Sequence, residues 1–269
     1  MHVFPVVGLA LLGVAIGTLG TLIGAGGGFL LLPILIFLYP HDRPAVLTAT
    51  SLSVVFFNAS SGTVAYLRMR RVDLKAGLLF AAAGLPGSIL GVLATQHLER
   101  RQFEVILSVL LILAGVRIFW VPEVKSSRPE SEAGTRRIVE SDGTVHVYTP
   151  RLWPGAVASA GVGFLSSMLG IGGGIIHVPL MVYGLGFPTH IATATSHFVL
   201  AILSGTGVLV HLGAGTLRPA LARIVPLGAG ALVGAQIGAR LSSRVHGRWI
   251  MRSLAVALIS VGVRLLFAP

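Results

Sequence analysis

The sequence predicts an all-α polytopic membrane protein built from a tandem duplicated helical repeat, and three observations lead to this fold class. The 269 residues are 54% hydrophobic and only 11% charged, whereas about 25% of the residues of a soluble domain are charged. Motifs of the first half of the chain also return in the second half. Finally, four long stretches contain no Asp, Glu, Lys or Arg: 1–41, 44–67, 76–98 and 152–217. A membrane-spanning helix needs about 20 apolar residues, so these stretches alone provide several spans.

Eight apolar segments follow one another along the chain. They are residues 4–39, 44–67, 74–96, 103–121, 152–185, 189–212, 219–240 and 249–267. The first and fifth segments are too long for one simple helix, because about 36 residues would reach ~54 Å across a hydrocarbon core of ~30 Å. Each of these two segments also has a glycine cluster near its middle. We therefore predict that both are broken helices.

The polar residues 122–151 form a linker between the two halves. Within the linker, residues 137–141 and 144–148 alternate between apolar and polar around Asp142-Gly143, which is typical of a β-hairpin with a two-residue turn. We interpret this region as a solvated, cytoplasmic linker with a small β-ribbon. A regulatory role is the alternative.

The two halves repeat the same motifs in the same order and at nearly constant spacing. The run Gly24–Gly28 returns as Gly170–Gly174, and the Thr-Ala-Thr-Ser motif at 48–51 returns at 193–196. Chance alignment of apolar sequence would not keep this order, so the chain is predicted to be a duplication. The predicted domains are repeat 1 at 1–121, the linker at 122–151 and repeat 2 at 152–269.

The relative orientation of the repeats stays open at this stage. Four crossings in each repeat would make the halves parallel, whereas five crossings, from a hairpin-like first segment, would make them inverted. Basic residues collect on the cytoplasmic side of a membrane protein. Their distribution along the chain favours a cytoplasmic linker in either arrangement, but it does not choose between the two.

The two glycine runs are the first part of a candidate substrate site. Each glycine inside a helix costs about 1 kcal/mol relative to alanine, so successive glycines weaken one turn. Irregular backbone at membrane depth persists where it is buried or lines a cavity, and paired breaks at equivalent repeat positions indicate a transport site. Close packing through small residues is the alternative. The candidate glycines are Gly24, Gly26, Gly27, Gly28, Gly170, Gly172, Gly173 and Gly174.

Polar residues in the second segment of each repeat add to this candidate site. They are Thr50, Ser51, Asn58, Thr195, Ser196 and His197, and His177 joins them from just after the second glycine run. About half of the hydroxyls are expected to bond their own backbone carbonyl groups. A buried amide or imidazole without a partner costs several kcal/mol, so Asn58 and the histidines need partners inside the protein. A structural hydrogen-bonding role is the alternative for His177 and His197.

The site is predicted to bind an anion. No Asp or Glu falls at mid-membrane, because all nine acidic residues lie at span edges or in the linker. Cation carriers and proton pumps usually use such carboxylates. The N-termini of broken helices instead carry about half a positive charge and unsatisfied N–H donors, which attract anions.

Several functional classes are excluded by residues that the chain lacks. It has no cysteine, which excludes disulfides, thiolate catalysis and cysteine-ligated metals. The apolar spans contain neither a Ser-His-carboxylate set nor a His-x-x-x-His zinc pair, so we predict no enzyme activity, no catalytic residue, no metal and no cofactor. The net charge of +11 indicates anchoring to the lipid bilayer rather than binding of nucleic acid.

The duplicated Gly-x-Gly-Gly-Gly runs, each followed by a proline and then by the Thr-Ser motif, resemble the sulfite exporter TauE/SafE family. The resemblance covers both halves of the chain apart from the linker. It implies an inner-membrane transporter of small anions, mainly sulfite and organosulfonates. The family's glycine and Thr/Ser regions match Gly24–Gly28, Gly170–Gly174, Thr50-Ser51 and Thr195-Ser196.

The predicted function is therefore secondary transport, in the export direction, of a small anion such as sulfite or an organosulfonate. An anion channel is the alternative. The expected location is the bacterial inner membrane, with several passes. A proton is a candidate coupling partner, because imidazole is the group at depth that titrates near neutral pH.

Overall fold

The computed structural model describes residues 3–120, 135–242 and 247–267. Repeat 1 contains α1 (Val3–Ile23), α2 (Gly28–Leu38), α3 (Pro44–Arg68), α4 (Leu74–Thr95) and α5 (Arg100–Trp120). The linker region contains β1 (Arg136–Val139) and β2 (Val145–Tyr148). Repeat 2 contains α6 (Leu152–Leu169), α7 (Gly174–Pro179) with a π-helical turn (Leu180–Gly184), α8 (Thr189–Gly213), a 3₁₀ turn (Arg218–Ala220), α9 (Leu221–Ser242) and α10 (Gly247–Leu266).

The helices confirm the predicted all-α membrane fold. In the described part of the chain, six helices are long and apolar enough to cross a membrane. Local sequence explains where several of them begin. The α3 helix starts at Pro44, a position where proline is favoured because it needs no backbone donor. The α4 helix is capped by Asp73, whose carboxylate accepts the N–H of Ala76 at 3.0 Å, as acidic caps do.

The first and fifth segments are broken helices, as predicted. The breaks consist of glycines with positive φ: Gly24 (85°), Gly26 (73°), Gly27 (80°), Gly170 (69°), Gly172 (82°) and Gly173 (89°). Residues with a side chain rarely adopt this left-handed conformation, which explains the glycine clusters. Both breaks are therefore built into the local backbone.

The central helices α3 and α8 are equivalent members of the two repeats, and they run antiparallel. A Cβ atom placed on Gly62 would lie 2.6 Å from the His197 ring, whereas one on Gly207 would lie 2.9 Å from the Leu52 side chain. The C-terminal part of α3 therefore contacts the N-terminal part of α8, and the N-terminal part of α3 contacts the C-terminal part of α8.

The last helices of the repeats, α5 and α10, also run antiparallel. Gly115 lies against the backbone of Ala255, and Gly262 lies against that of Ser108. Since equivalent helices run in opposite directions in both pairs, the repeats are inverted. This result selects five segments for each repeat, the second of the two arrangements that the sequence left open.

The first helix of each repeat packs against the fourth helix of the other, so that α1 contacts α9 and α6 contacts α4. Glycines make these contacts close. A Cβ atom on Gly87 of α4 would overlap the carbonyl oxygen of Ala160, and one on Gly230 of α9 would overlap that of Ala10. The two repeats are therefore joined by interlocked backbones, as small residues permit in membrane helices.

The α2 helix is a half-length return segment. The amide of Asn58 donates to the Gly17 carbonyl, and the Tyr66 hydroxyl donates to the Thr21 carbonyl, so α1 and α3 run in the same direction. The chain must therefore turn back between them. The 11 residues of α2 cover only ~16 Å, which leaves the glycine break in the interior of the bundle. The α6–α7 segment does the same from the opposite face.

The predicted hairpin is present within the linker, but the predicted two-residue turn is wrong, because the Glu140 N–H donates to the Thr144 carbonyl and three residues, 141–143, lie between them. Strands β1 and β2 are antiparallel, with Arg136 opposite Tyr148. In the turn, the Asp142 carboxylate accepts the Thr144 N–H at 2.9 Å. The hydrogen bonds from Thr144 hold the pKa of Asp142 below its usual range. Linker residues 121–134 lie outside the described part of the chain.

The hairpin is docked on the loop between α3 and α4 rather than standing free in solvent. The Tyr148 hydroxyl donates to the Asp73 carboxylate at 2.8 Å, and Arg136 forms an ion pair with the same carboxylate. Burial raises the pKa of Tyr148, and the nearby Asp73 raises it further, so the hydroxyl stays protonated. Arg71 and Glu140 form a second ion pair at 2.5 Å, and both are buried. The hairpin thus closes one face of the bundle.

Candidate functional site

The two glycine runs contact each other inside the bundle. A Cβ atom on Gly28 would lie 2.9 Å from the carbonyl oxygen of Gly170. The reciprocal contact has a Cβ atom on Gly174 within 2.6 Å of the Cα atom of Ala25. The two half-length helices α2 and α7 therefore begin side by side, at loops that are buried in the described structure.

The serines of the two Thr-Ser motifs hold these loops across the repeats. The Ser51 hydroxyl donates to the Gly170 carbonyl at 2.6 Å, and the Ser196 hydroxyl donates to the Gly24 carbonyl at 3.2 Å. Each repeat therefore supplies a hydrogen bond to the glycine loop of the other repeat. This exchange follows directly from the inverted arrangement.

The threonines of the same motifs make different contacts. Thr50 donates to the carbonyl of Val46 in its own helix at 2.7 Å. Thr195 accepts the backbone N–H of Asp73 at 3.0 Å, which links the motif to the hairpin-bearing loop. The structure therefore places both threonines near the site, with their hydroxyls bonded elsewhere than to the glycine loops.

Asn58 and His197 belong to one buried hydrogen-bonded cluster beside the Gly24 loop. The Asn58 amide nitrogen donates to the Gly17 carbonyl at 2.9 Å, and its oxygen accepts the Thr21 hydroxyl at 3.1 Å. The Nε2 atom of His197 lies 3.2 Å from the Thr21 hydroxyl and 3.4 Å from the Asn58 oxygen. The ring of Tyr66 packs edge-on against the imidazole.

His177 has a separate partner. Its Nε2 atom lies 3.0 Å from the Ser159 hydroxyl, which itself donates to the Gly155 carbonyl at 2.7 Å. The side chain is fully buried. The described contacts of His177 and His197 share no residue, so the two histidines form two distinct polar sites in repeat 2.

Thr48 and Thr193 also lie at the candidate site, although the sequence did not predict them as part of it. A Cβ atom on Gly24 would lie 2.9 Å from the Cα atom of Thr193, and one on Gly170 would lie 2.9 Å from that of Thr48. The first threonine of each Thr-Ala-Thr-Ser motif therefore lies against the opposite glycine loop. Its position one turn before the serine was a signal that could have identified it.

The electrostatics of the glycine loops suit negative charge. The first N–H groups of a helix have no intrahelical partner, and the helix dipole makes this end positive. The α2 helix begins at one of the loops. The surrounding α3 and α8 segments contain no Asp or Glu. Among the described residues, the buried carboxylates Asp73 and Glu140 lie at the hairpin instead.

A groove of about 460 Å³ opens on the face opposite the hairpin, and it does not include the glycine loops. It is lined by residues 41–44 and 96–100. At its edge, Arg100 donates to the carbonyls of Ile36 and Asp42 at 2.9 and 3.0 Å. This arginine therefore stabilises the end of α2, since its donors satisfy carbonyls that the helix leaves free.

Comparison with known proteins confirms the family resemblance. A family model described as "Sulfite exporter TauE/SafE" matches residues 9–265. "Probable membrane transporter protein YunE" of Bacillus subtilis is 31% identical over 266 residues, which cover 96% of either chain. "Probable membrane transporter protein MJ0441" of Methanocaldococcus jannaschii is 26% identical, covering 77% of this chain and 73% of its own. "Probable membrane transporter protein YfcA" of Escherichia coli is 26% identical, covering 89% and 81%. No solved structure matches the chain at a significant level.

Proposed function

The chain belongs to the sulfite exporter TauE/SafE family, and from this premise we propose that it is a secondary transporter that exports a small anion such as sulfite or an organosulfonate. Its proposed location is the inner membrane of a bacterial cell. The observation that carries the proposal is the meeting of two half-length helices at glycine loops inside an inverted repeat.

The charge pattern of the loops supports an anion as the substrate. A helix N-terminus attracts negative charge by its dipole and by its free N–H groups. The absence of Asp and Glu from residues 44–67 and 189–213 leaves this attraction uncancelled. A cation would meet partial positive charge here and no carboxylate to hold it.

The closed loops and the inverted repeats support a carrier rather than a channel. Inverted repeats allow a site at their interface to open to either side by the motion of one repeat against the other. The glycine runs are buried, as in an occluded carrier. An open channel would instead need a continuous water-filled path through this point.

The proposed coupling ion is the proton. The spans have no carboxylate at depth, so imidazole is the group that can bind a proton near neutral pH. His177 and His197 are both fully buried in repeat 2, and His197 lies beside the Gly24 loop. Proton binding there would add positive charge near the anion, so the two ligands would favour each other's binding.

Counterflow in proteoliposomes tests the transport proposal. Purified protein is reconstituted with unlabelled sulfite inside, and uptake of radiolabelled sulfite, sulfoacetate, taurine or sulfate is measured. A carrier gives trans-stimulated uptake of its substrate, and a Gly173→Leu variant provides the inactive control. Uptake without trans-stimulation would favour a channel. Failure of every anion to enter would refute the proposed function.

A further inference from the structure

The long helices form two groups, and each group contains helices of both repeats. In the first group, α9 packs against α1 and α3, and the Ser61 hydroxyl of α3 donates to the Leu232 carbonyl of α9 at 2.8 Å. In the second group, α4 packs against α6 and α8, and the Ser88 hydroxyl of α4 donates to the Leu203 carbonyl of α8 at 3.0 Å. The two groups meet where α3 packs against α8.

On the side of the hairpin, the two groups meet along small apolar side chains. One buried cluster, which we call the alanine seam, joins the first group to the second and consists of Ala65, Tyr66, Ala239 and Ala194. Contacts between apolar side chains are not directional, so the groups can separate here without breaking a hydrogen bond between the alanines. Ala194 is two residues before Ser196, which bonds the Gly24 carbonyl. The seam therefore lies next to the glycine loops.

The hairpin is bonded to the first group through Arg71, which follows the end of α3. The Nε atom of Arg71 lies 2.5 Å from the Glu140 carboxylate, and its Nη1 atom donates to the Ser242 hydroxyl at the end of α9 at 3.4 Å. The Ser141 N–H also donates to the Met69 carbonyl at 3.0 Å. Arg71, Glu140 and Ser242 are all buried, so salt and water screen this joint only weakly.

The hairpin is bonded to the second group through Tyr148. The Tyr148 hydroxyl donates to the carboxylate of Asp73, the cap of α4, at 2.8 Å. The Asp73 N–H in turn donates to the Thr195 hydroxyl of α8 at 3.0 Å. The Tyr148 and Phe187 ring centroids are 5.2 Å apart, and Phe187 packs against Phe80 of α4. Because Tyr148 belongs to the apolar core of the second group, the joint that can open is the polar one to the first group.

The loop that connects the groups, residues 69–73, contains a residue in a strained conformation. Arg70 has a φ of 56°, in the left-handed region that residues with a side chain rarely adopt. Hinges consist of a few residues of this kind at the ends of elements, where the backbone angles can change. Met69 and Val72 of the same loop pack against the alanine seam. The loop and the hairpin therefore cover the seam together.

We propose that the hairpin is a lock on the linker side of the transport path. While Glu140 is bonded to Arg71, the two helix groups are held together and the alanine seam is closed. Release of this joint lets the groups separate at the linker face, and the hairpin moves with α4 and α8. This inference rests on the proposed function, because a carrier must open to that face once in every cycle. For an exporter with a cytoplasmic linker, it is the face at which the substrate enters.

Reversible cross-linking tests the lock, since the chain has no cysteine of its own. Met69→Cys combined with Ser141→Cys, joined by a short bis-methanethiosulfonate, ties the hairpin to the end of α3. Counterflow of the anions named above should fall to background after cross-linking and return after reduction. The matched control combines Arg137→Cys with Val147→Cys, which face each other on the two strands. The reagent then ties the hairpin only to itself, so counterflow should be retained.

Labelling of a buried cysteine tests the release of the joint without a transport assay. Ala239→Cys, at a fully buried position of the seam, reports opening by its rate of alkylation with a water-soluble maleimide in detergent. Adding Glu140→Gln should raise this rate about tenfold or more, because Arg71 keeps its charge but loses the carboxylate that neutralises it. Ala220→Cys, fully buried near the opposite face, is the matched control, and its rate should change less than about twofold because the opening is local.

Several results would overturn the lock. They are counterflow that persists after cross-linking of Met69→Cys with Ser141→Cys, loss of counterflow in the control pair as well, an unchanged labelling rate at Ala239→Cys, and equal acceleration at Ala220→Cys, which would indicate general unfolding. A wild type that gives counterflow of no anion would refute the proposed function instead. The labelling rates would then still decide whether the hairpin holds the seam closed.

Discussion

Removal of the Ser51 hydroxyl should destabilise the protein, because this group joins the two repeats at the site. Ser51 donates to the Gly170 carbonyl at 2.6 Å, and both residues are buried. Gly170 ends α6, so its carbonyl has no following helical turn to accept from. In Ser51→Ala this carbonyl loses the donor, which costs about 1–3 kcal/mol.

Ser53→Ala is the matched control for this prediction. Ser53 is buried in the same helix, but its hydroxyl donates to the carbonyl of Ala49 in its own backbone at 2.7 Å. That carbonyl is in the helix interior and keeps its helical N–H partner, so the loss should be only about 0.5 kcal/mol.

Thermal unfolding in detergent, followed by tryptophan fluorescence, measures the difference. At ~2–4 °C per kcal/mol for a chain of this size, Ser51→Ala should lower the melting temperature by ~2–12 °C, and Ser53→Ala by much less. Equal melting temperatures for the two variants would refute the argument that the hydroxyl of Ser51 carries a bond between repeats.

Three further predictions concern the loop, the histidines and the hairpin. Gly27→Leu should abolish transport while leaving folded protein in the membrane. The reason is that Gly27 has a φ of 80° and that a Cβ atom there would lie 2.6 Å from the Ile16 side chain. The control variant Gly8→Leu, at an open position on α1, should retain uptake. The double variant His177→Gln, His197→Gln should flatten the pH dependence of vesicle uptake, because glutamine keeps hydrogen-bonding capacity but does not bind a proton, and an unchanged profile would show that the histidines are structural. Arg136→Ala removes an ion pair of the docked hairpin, so amide exchange in residues 136–148 should accelerate; unchanged exchange would mean that the strands hold the hairpin without it.

The sequence predicted the helix breaks well because their cause is local. Three glycines at positive φ in each break are a property of the backbone itself, and a segment of about 36 residues cannot cross ~30 Å as one straight helix. The hairpin was also predicted from adjacent residues, but its turn was predicted one residue too short, since Ser141 joins Asp142 and Gly143 in the connection between Glu140 and Thr144. These features need no knowledge of the rest of the fold.

The orientation of the repeats and the docking of the hairpin depend on distant partners. The repeats are inverted because α2 turns back at half length. The apolar residues of such a segment have the same composition whether the chain turns back or continues across the membrane, so the sequence does not distinguish the two. Docking follows from pairs such as Arg71 with Glu140, which are 69 residues apart. Thr193 was missed for the same reason, because its importance comes from Gly24, which lies in the other repeat.

The duplication explains both the common architecture of the two loops and the asymmetry between them. Two copies that bind each other's loops through Ser51 and Ser196 must keep those serines, because each one holds the other half. The position one residue after the serine differs between the copies: it holds Leu52 in one and His197 in the other, and only His197 adds polar contacts, with Thr21 and Asn58 of the other repeat. The inverted repeat gives the two glycine loops the same backbone geometry. A single substitution can therefore add a polar side chain beside one loop, while the other loop keeps only its structural contacts. Substrate chemistry is therefore best sought at positions where the two repeats differ, and the supporting frame at positions where they agree.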